Sequence, residues 1–426
     1  MNQTQFRRTG RGRLLLLMLA LAAIWPSYRW WQEAQFRSAL QLGQKYLNQR
    51  REELAEEQFE ICRQIHPQDT QSILLWSEAV MTGRSRTGAE AAELVLSGLR
   101  QISDEDAAAA EIRMREGRLL LFVLNRPDAA ERMLRRSLAL DDRPVDAWYL
   151  LWKLYDLTGR FEQAEPFYLA TYERTTSEYR PMRLREWYLS QFSQGAANAE
   201  LDRRMGFLGP DELASDATVD RRLQAFVDAE PDSLLNQTAQ AAFFVQLRDR
   251  DKALQTLLRL QQHEEAAGNA WYLSLTIELL LELGRLDEAA QLADAWQAAR
   301  DGYLWHRCAG RISQLVRRED EAAVDHFRQA RQEWPGNADW SLLHFEAQSL
   351  ARLGRGEESK RLREQADRIE KLTELDLHRG IRIALQQPNA PATVSEMIAF
   401  YSALGRTQEV EAWKQVGGLS AQGSFE

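Results

Sequence analysis

The stretch from residue 148 to residue 172 reads WYLLWKLYDLTGRFEQAEPFYLATY and decides the fold class of the chain. Its first half has apolar side chains at spacings of three and four residues, which lie on one face of an α-helix: Trp148, Leu151, Trp152 and Tyr155. Gly159 breaks this helix, and a second apolar face with the same spacing follows it: Phe161, Ala164, Tyr168, Thr171 and Tyr172. The stretch therefore predicts two short antiparallel helices.

A small residue in the second helix of this unit recurs along the chain and serves as a register mark. The marks are Ala55, Ala92, Ala130, Ala164, Val219, Ala253, Ala289, Ala323, Ser359 and Val410. Successive marks are 37, 38, 34, 55, 34, 36, 34, 36 and 51 residues apart, so seven of the nine intervals lie within four residues of a 34-residue period. Because one helical hairpin cannot bury its apolar face alone, this period predicts an array of stacked hairpins.

The repeating pattern resembles the tetratricopeptide repeat family, as found in membrane-anchored bacterial proteins with such repeats. The resemblance covers most of residues 36 to 416, and two further units that carry it contain Leu42, Gly43, Tyr46, Ala55, Phe59, Cys62 and Pro67, and Ala323, Phe327, Ala330 and Pro335. It implies an all-α fold, a right-handed α-solenoid of about ten helical hairpins preceded by one N-terminal hydrophobic helix.

The two long intervals and the composition of the ends predict how the chain is divided. The interval between Ala164 and Val219 contains several Gly and Pro residues and favours an irregular junction. We expect a basic flank at 1–13, a signal-anchor helix at 14–31, repeats at 32–178, a junction at 179–217, repeats at 218–417 and a flexible tail at 418–426.

The amino terminus has a basic flank, the uninterrupted apolar run Leu14 to Trp25, and an aromatic edge that includes Tyr28, Trp30 and Trp31. This order favours an uncleaved signal anchor with the amino terminus in the cytoplasm and the repeats on the other side of the membrane. One alternative is a secretory signal cleaved after Ala22, which would leave a secreted or periplasmic protein. The other is a soluble protein in which this helix is buried.

Charge and cysteine content exclude several classes of function. The five arginines of the first 31 residues contribute +5 to a formal net charge of −9, which leaves −14 on residues 32–426. An acidic body without a basic stripe argues against nucleic-acid binding. Cys62 and Cys308 are the only cysteines in the sequence, so no disulfide framework and no zinc-ligand spacing is predicted, and each is expected to pack as a small hydrophobe.

No catalytic, cofactor or metal motif is found in the sequence. It lacks a phosphate-binding loop, a nucleophile elbow and a His-Glu-x-x-His helix. Its six histidines do not occur four residues apart, so no pair is predicted to share a helical face. We therefore predict no catalytic residue, no cofactor and no metal.

The family resemblance implies that partners bind on the concave face formed by the first helix of each repeat. Transferred to this sequence, it puts these residues at the binding face: Tyr149, Lys153, Asp156, Trp271, Ser274, Glu278 and Glu282. The leading hypothesis is a non-enzymatic, membrane-tethered scaffold that binds proteins or peptides. The alternatives are a cell-envelope enzyme or polysaccharide-processing or export subunit with a site in 179–217, and a soluble regulatory repeat protein.

Overall fold

The computed structural model describes residues 4–192, 194–372 and 375–423, with side chains for residues 25–192, 197–372 and 377–418. Over these residues the secondary structure consists of twenty-two α-helices with short 3-10 and π segments between them, and it contains no strand. The predicted all-α class is therefore confirmed. The chain divides into two compact units, one up to Leu119 and one from Leu120 onward.

The first unit begins with a long helix that is followed by shorter ones. Its helices are α1 (Thr4–Asn48), α2 (Glu52–Ile65), α3 (Thr70–Thr82), α4 (Gly88–Leu99) and most of α5 (Ala109–Phe122). Helix α2 packs on α1 and α3, and α3 packs on α4. The core between them is formed by Phe59, Ile73, Trp76 and Val95 with smaller apolar residues.

The second unit contains the remaining helices, most of them 10 to 14 residues long. They are α6 (Pro127–Leu140), α7 (Val145–Thr158), α8 (Glu165–Arg174), α9 (Arg180–Phe192), α10 (Gln194–Arg204), α11 (Asp216–Ala229), α12 (Leu234–Gln246), α13 (Arg250–Arg259), α14 (Ala270–Glu282), α15 (Leu286–Asp294), α16 (Gly302–Ile312), α17 (Asp320–Ala330), α18 (Trp340–Arg352), α19 (Gly356–Leu372), α20 (Leu375–Ala384), α21 (Pro391–Ala403) and α22 (Thr407–Gly423).

Consecutive helices pack as hairpins, in the tetratricopeptide-like arrangement that the sequence predicted. The packed pairs are α1–α2, α3–α4, α7–α8, α9–α10, α12–α13, α14–α15, α16–α17, α18–α19 and α21–α22. Eight of the ten register marks are buried, whereas Val219 and Val410 are partly exposed and the residue before each, Thr218 and Glu409, is buried. These two marks follow the long intervals, so the register shifts by one residue there. The long intervals contain the additional pair α9–α10 and the additional helix α20.

Close approach of the two helices in a hairpin depends on glycine at one position. A Cβ atom built on Gly310 of α16 would lie 2.5 Å from the ring of Phe327 on α17. In the first unit, a Cβ on Gly43 of α1 would lie 2.6 Å from the ring of Phe59 on α2. Real Cβ contacts are longer than this, so the glycine in the first helix and the phenylalanine in the second form one repeated contact.

In most hairpins the turn after the first helix has a left-handed residue, which reverses the chain into the second helix, whereas Gly83 after α3 has a φ of −63°. Glycine takes this conformation after α7, α14, α18 and α21, at Gly159, Gly284, Gly354 and Gly405. Four non-glycine residues have the same conformation at the matching turns, namely Arg50, Asn125, Arg248 and Arg318 with φ between 56° and 62°. The turn geometry is therefore kept even where the glycine is missing, because the helix pairing imposes it.

The predicted single-pass membrane localisation is wrong. Among the residues that the structure describes, no helix is long and apolar enough to cross a membrane. The sequence explains why the prediction fails: the apolar run Leu14 to Trp25 is well short of the ~20 residues of a span, and its extension to Trp31 adds Pro26 and Arg29. The backbone of α1 is helical through this run, while the side chains of residues 1 to 24 lie outside the described part.

Candidate functional site

The residues predicted on α7 face α9 and α10 and are largely enclosed. Lys153 and Asp156 are buried, and Tyr149 is partly buried. The Lys153 ammonium lies 3.4 Å from Asp156 Oδ2 and 3.7 Å from Glu186 Oε2. The Ser190 hydroxyl donates a hydrogen bond to the same Asp156 oxygen at 2.7 Å. The structure thus brings Lys153 and Asp156 together inside the packing of α7 against α9.

The electrostatics of this pair favour a charged lysine. Burial alone would lower the pKa of Lys153, but the carboxylates of Asp156 and Glu186 outweigh it and raise the pKa. Burial raises the pKa of Asp156, and the opposing effects of Lys153 and Ser190 do not cancel it. The ion pair lies within α7, and Ser190 and Glu186 link it to α9. The assignment of Tyr149, Lys153 and Asp156 to partner binding stays a prediction.

The residues predicted on α14 differ in their exposure. Trp271 and Ser274 are buried, with the Arg160 guanidinium 5.8 Å from the Trp271 ring and the Ser274 hydroxyl bonded to the Trp271 carbonyl. Glu278 is partly buried and Glu282 is exposed. Glu282 accepts a hydrogen bond from Arg250 Nε at 2.8 Å, in a pair whose two side chains are both more than 40% exposed. Glu282 is therefore the predicted α14 residue that solvent and a partner reach most easily.

A row of polar side chains joins the first helices of three consecutive hairpins. We call Glu278, Tyr303, Arg307 and Asp339 the first-helix row. Arg307 donates to Glu278 Oε1 at 3.2 Å, to Asp339 Oδ2 at 3.0 Å and to the Tyr303 hydroxyl at 2.9 Å. Tyr303 in turn donates to Asp339 Oδ2 at 2.6 Å. One arginine thus bridges carboxylates from α14 and from the start of α18.

The first-helix row stabilises the charged forms of both Asp339 and Arg307. Burial would raise the pKa of Asp339, but the Arg307 guanidinium and hydrogen bonds from Ser341 and Tyr303 bring it below its ordinary value. Burial would lower the pKa of Arg307, yet the surrounding groups, with Tyr303 and Asp339 foremost, raise it well above its ordinary value. Both groups are therefore charged in neutral solution, and the row is a preformed array of charged donors and acceptors.

A second assembly joins segments of the second unit that are far apart in sequence. We call Glu165, Trp187, Trp334, Arg406 and Glu409 the closing cluster. The Trp187 indole donates to Glu409 Oε1 at 3.2 Å, and the Trp334 indole donates to the backbone carbonyl of Phe161 at 3.2 Å. Arg406 donates to Glu165 and to Glu409, each at 2.7 Å, and lies 4.0 Å from the centre of the Trp334 ring. The cluster holds α8, α9 and α22 to the turn before α18.

A polar cavity of about 260 Å³ lies beside the closing cluster. Arg406 and Glu409 form one side and the turn that contains Trp334 forms another. Four of its five ionic side chains are engaged within the protein, because Arg406 holds Glu165 and Glu409 and Arg331 donates to Glu346 at 2.8 Å. Burial raises the pKa of Glu165 despite the opposing effect of Arg406. The cavity can accept polar groups, but it contains no aligned set of catalytic side chains.

The block 179–217, set apart in the sequence, contains helices α9 and α10, which pack on each other. A smaller pocket of about 40 Å³, lined by apolar and polar side chains, lies between α7, α10, α11 and α12. Its buried carboxylate Asp202 accepts a hydrogen bond from Arg222, and burial raises the pKa of Asp202 despite this arginine. Asp156 also lines this pocket. The volume suits a few water molecules rather than a substrate.

The histidines and cysteines have different surroundings from one another. Both cysteines are free and buried as predicted, and burial raises the pKa of the Cys62 thiol to about 11. Two histidines that are 20 residues apart in sequence meet across a hairpin, with His306 Nδ1 3.1 Å from His326 Nδ1. Exposed Asp367 and Glu370 of α19 face His344 of α18, with ligand atoms within 4.8 Å of one another. Spacing along one helix predicts neither grouping, because the residues of each come from two helices.

Sequence patterns also failed to predict several residues of the first-helix row and of the closing cluster. Arg307 and Asp339 of the first-helix row, and Trp187 and Arg406 of the closing cluster, were not predicted as site residues. No periodic signal points to the closing cluster, because three of its hydrogen bonds join residues 173 to 241 positions apart. The position of Arg307 on a first helix was the one available signal for the row.

Comparison with known proteins yields structural matches alone. No protein-family model matches the chain, and no curated protein matches it. Among solved structures, a tetratricopeptide repeat protein from Parabacteroides merdae is 11% identical, with a TM-score of 0.29, and the match covers 74% of this chain and 99% of that one. The TPR domain of P58(IPK) is 16% identical, with a TM-score of 0.24, and the match covers 80% of this chain and 99% of that one.

A third match, the APC/C hetero-tetramer Cut9-Hcn1, is 11% identical, with a TM-score of 0.36, and covers 89% of this chain and 74% of that one. The helical hairpins of this chain have the tetratricopeptide-like fold that the sequence predicted.

Proposed function

We propose that the chain is a non-enzymatic scaffold that binds a protein or peptide segment with basic side chains along the first helices α14 and α16. Glu282 and Glu278 would accept the guanidinium or ammonium groups of the partner. The observation that carries this proposal is the first-helix row, in which carboxylates from different hairpins bind one arginine of the chain itself. The Arg307 guanidinium thus shows the kind of group that these carboxylates bind.

Exchange of an internal arginine for one from a partner is energetically feasible at this surface. The Arg250–Glu282 pair is exposed, and exposed ion pairs contribute only about 0–1 kcal/mol to stability. A partner arginine can therefore replace Arg250 at Glu282 with little loss. The net charge of −14 on residues 32–426 also attracts a basic segment from a distance.

The enzymatic alternative receives no specific support from the pocket between α7, α10, α11 and α12, next to the block 179–217. Asp202 in that pocket is bound to Arg222, and Asp156 is bound to Lys153 and Ser190. A general acid or base needs a carboxyl group within reach of substrate, and these carboxylates face cations inside the protein. We therefore retain the binding scaffold as the proposed function.

Fluorescence anisotropy with a labelled arginine-rich peptide tests the proposal. The double variant Glu278→Gln/Glu282→Gln removes two charges from α14, and we expect it to weaken peptide binding at least about tenfold, as one to two charge-assisted hydrogen bonds are lost. The matched control is Asp287→Asn/Glu288→Gln, which removes the same charge from exposed residues of α15 in the same hairpin. Equal weakening in both double variants would mean that net charge alone attracts the peptide, and would contradict the proposed surface.

A further inference from the structure

The pair His306 and His326 has the arrangement of two ligands for one metal ion. His306 is on α16 and His326 is on α17, and their Nδ1 atoms are 3.1 Å apart with ring centres separated by 5.4 Å. Zinc–nitrogen bonds of ~2.0–2.1 Å place two ligands of a tetrahedral ion about 3.3 Å apart. The two imidazoles therefore need to separate by only a few tenths of an ångström to bind one ion between them.

The protonation state and the local field favour a cation at this position. Burial lowers the pKa of both imidazoles, so both rings are neutral and able to bind a metal in neutral solution. The carboxylates of Asp301 and Glu333 act on His306, and that of Asp325 acts on His326. Arg317 is the cation that opposes them at His326. The surroundings of the pair are thus predominantly negative.

We propose that His306 and His326 bind a divalent transition-metal ion of the zinc class, which links α16 to α17. Water molecules complete its coordination shell. Imidazole nitrogen suits zinc, copper and nickel, whereas magnesium prefers oxygen ligands. Because the ligands come from the two helices of one hairpin, the bound ion stabilises that hairpin against opening. This site is independent of the proposed peptide-binding surface.

The group His344, Asp367 and Glu370 is the competing candidate within the described residues. It supplies one nitrogen and two carboxylate oxygens, and its two acidic side chains are exposed. The His344 Nε2 atom is 3.7 Å from Asp367 Oδ1. The histidine pair has two nitrogen ligands that are partly shielded from solvent, so we assign the higher affinity for zinc to His306 and His326.

Calorimetric titration of the metal-free full chain with zinc chloride tests this assignment. We expect His306→Gln and His326→Gln each to lower zinc affinity at least about tenfold, since each variant removes one of two protein ligands. The matched control His344→Gln should leave the affinity within about twofold of the unsubstituted chain, because it removes one imidazole from the other group. Circular dichroism and the melting temperature of the metal-free variants establish that each one is folded.

The melting temperature provides the second measurement. Zinc should raise it in the unsubstituted chain and in His344→Gln, and should leave it unchanged in the other two variants. Magnesium chloride at the same concentration should have no effect. The proposal is overturned if the unsubstituted chain binds no zinc, or if His344→Gln abolishes binding while His306→Gln and His326→Gln retain it.

Discussion

The regular hairpins and the closing cluster stabilise the protein through contacts of opposite kinds. In the hairpin α16–α17, Gly310 receives the ring of Phe327, and the same contact occurs between Gly43 and Phe59 in the first unit. In the closing cluster, each contact occurs once, and three of its hydrogen bonds join segments that are distant in sequence. The repeated contact needs only the two helices of one hairpin, whereas the closing cluster requires that α8, α9, α22 and the turn before α18 come together.

The contacts that occur once, in the closing cluster, distinguish this protein from a regular array of identical hairpins. A repeat contact can be lost from one hairpin and kept in the others. The cluster has no second copy, and its members use buried hydrogen bonds and ring stacking, such as Trp187 on Tyr168 with ring centres 4.2 Å apart. We therefore expect substitutions in the cluster to destabilise the second unit more than comparable substitutions in a hairpin.

Trp187→Ala should give the largest effect. Trp187 is buried, stacks on Tyr168 and donates to Glu409, so its removal leaves a cavity and takes one hydrogen bond from a carboxylate that Arg406 still holds. We expect a loss of ~3–5 kcal/mol in the free energy of unfolding, measured by urea denaturation. The control Trp148→Ala removes a partly exposed tryptophan of α7 and should be milder. If both variants lost the same free energy of unfolding, the closing cluster would contribute no more to stability than an ordinary helix contact.

Gly310→Ala tests the repeated contact. The added Cβ must displace the Phe327 ring, and overpacking of this kind reduces stability by about 1–3 kcal/mol. The control is Gly356→Ala, because no atom lies within 4 Å of a Cβ built there and its φ is not positive. Thermal and urea unfolding of both variants would check this. An unchanged stability for Gly310→Ala would refute the close approach of α16 and α17.

Gly284→Ala should have a smaller effect that comes from the backbone alone. Gly284 has a φ of 73° and no atom within 4 Å of the position of a Cβ. We expect a loss of ~1 kcal/mol, because alanine is strained in the left-handed region. The opposite change, Arg318→Gly, removes a left-handed non-glycine residue and should increase stability by a similar amount. If Arg318→Gly lost stability as Gly284→Ala does, the two turns would not share the left-handed conformation as a source of strain.

Asp339→Asn should remove stability that is present at neutral pH and should change the pH dependence of unfolding. The pKa of Asp339 is lowered in the folded chain, so its ionised form contributes stability above its ordinary pKa of about 3.9. This contribution is lost as the pH falls through the folded pKa. Asparagine keeps a cap for α18 but lacks the charge, so unfolding measured from neutral to acidic pH should lose part of its acid dependence. If stability fell with acidic pH in the same way in the variant and the unsubstituted chain, the lowered pKa of Asp339 would be contradicted.

The sequence predicted the hairpins well because their contacts recur at a regular spacing along the chain. The buried alanine marks and the glycine at the turn after α7 follow from helical periodicity and from the left-handed conformation that glycine takes easily. Trp152 is in the core as that periodicity indicates, whereas Trp148 is partly exposed with its indole donating to Asp142. The membrane localisation was wrong because hydropathy was extended past a short apolar run to polar residues.

By itself, the sequence determined the all-α class, the approximate repeat length and the positions of most second helices, since all three depend on local spacing. Tertiary structure alone decided which polar groups meet. It buried Lys153 and Asp156, joined Arg307 to carboxylates of two other hairpins, and placed His326 beside His306. The physical reason is that periodicity specifies which face of a helix is buried, whereas the partner of a side chain depends on how separate helices pack.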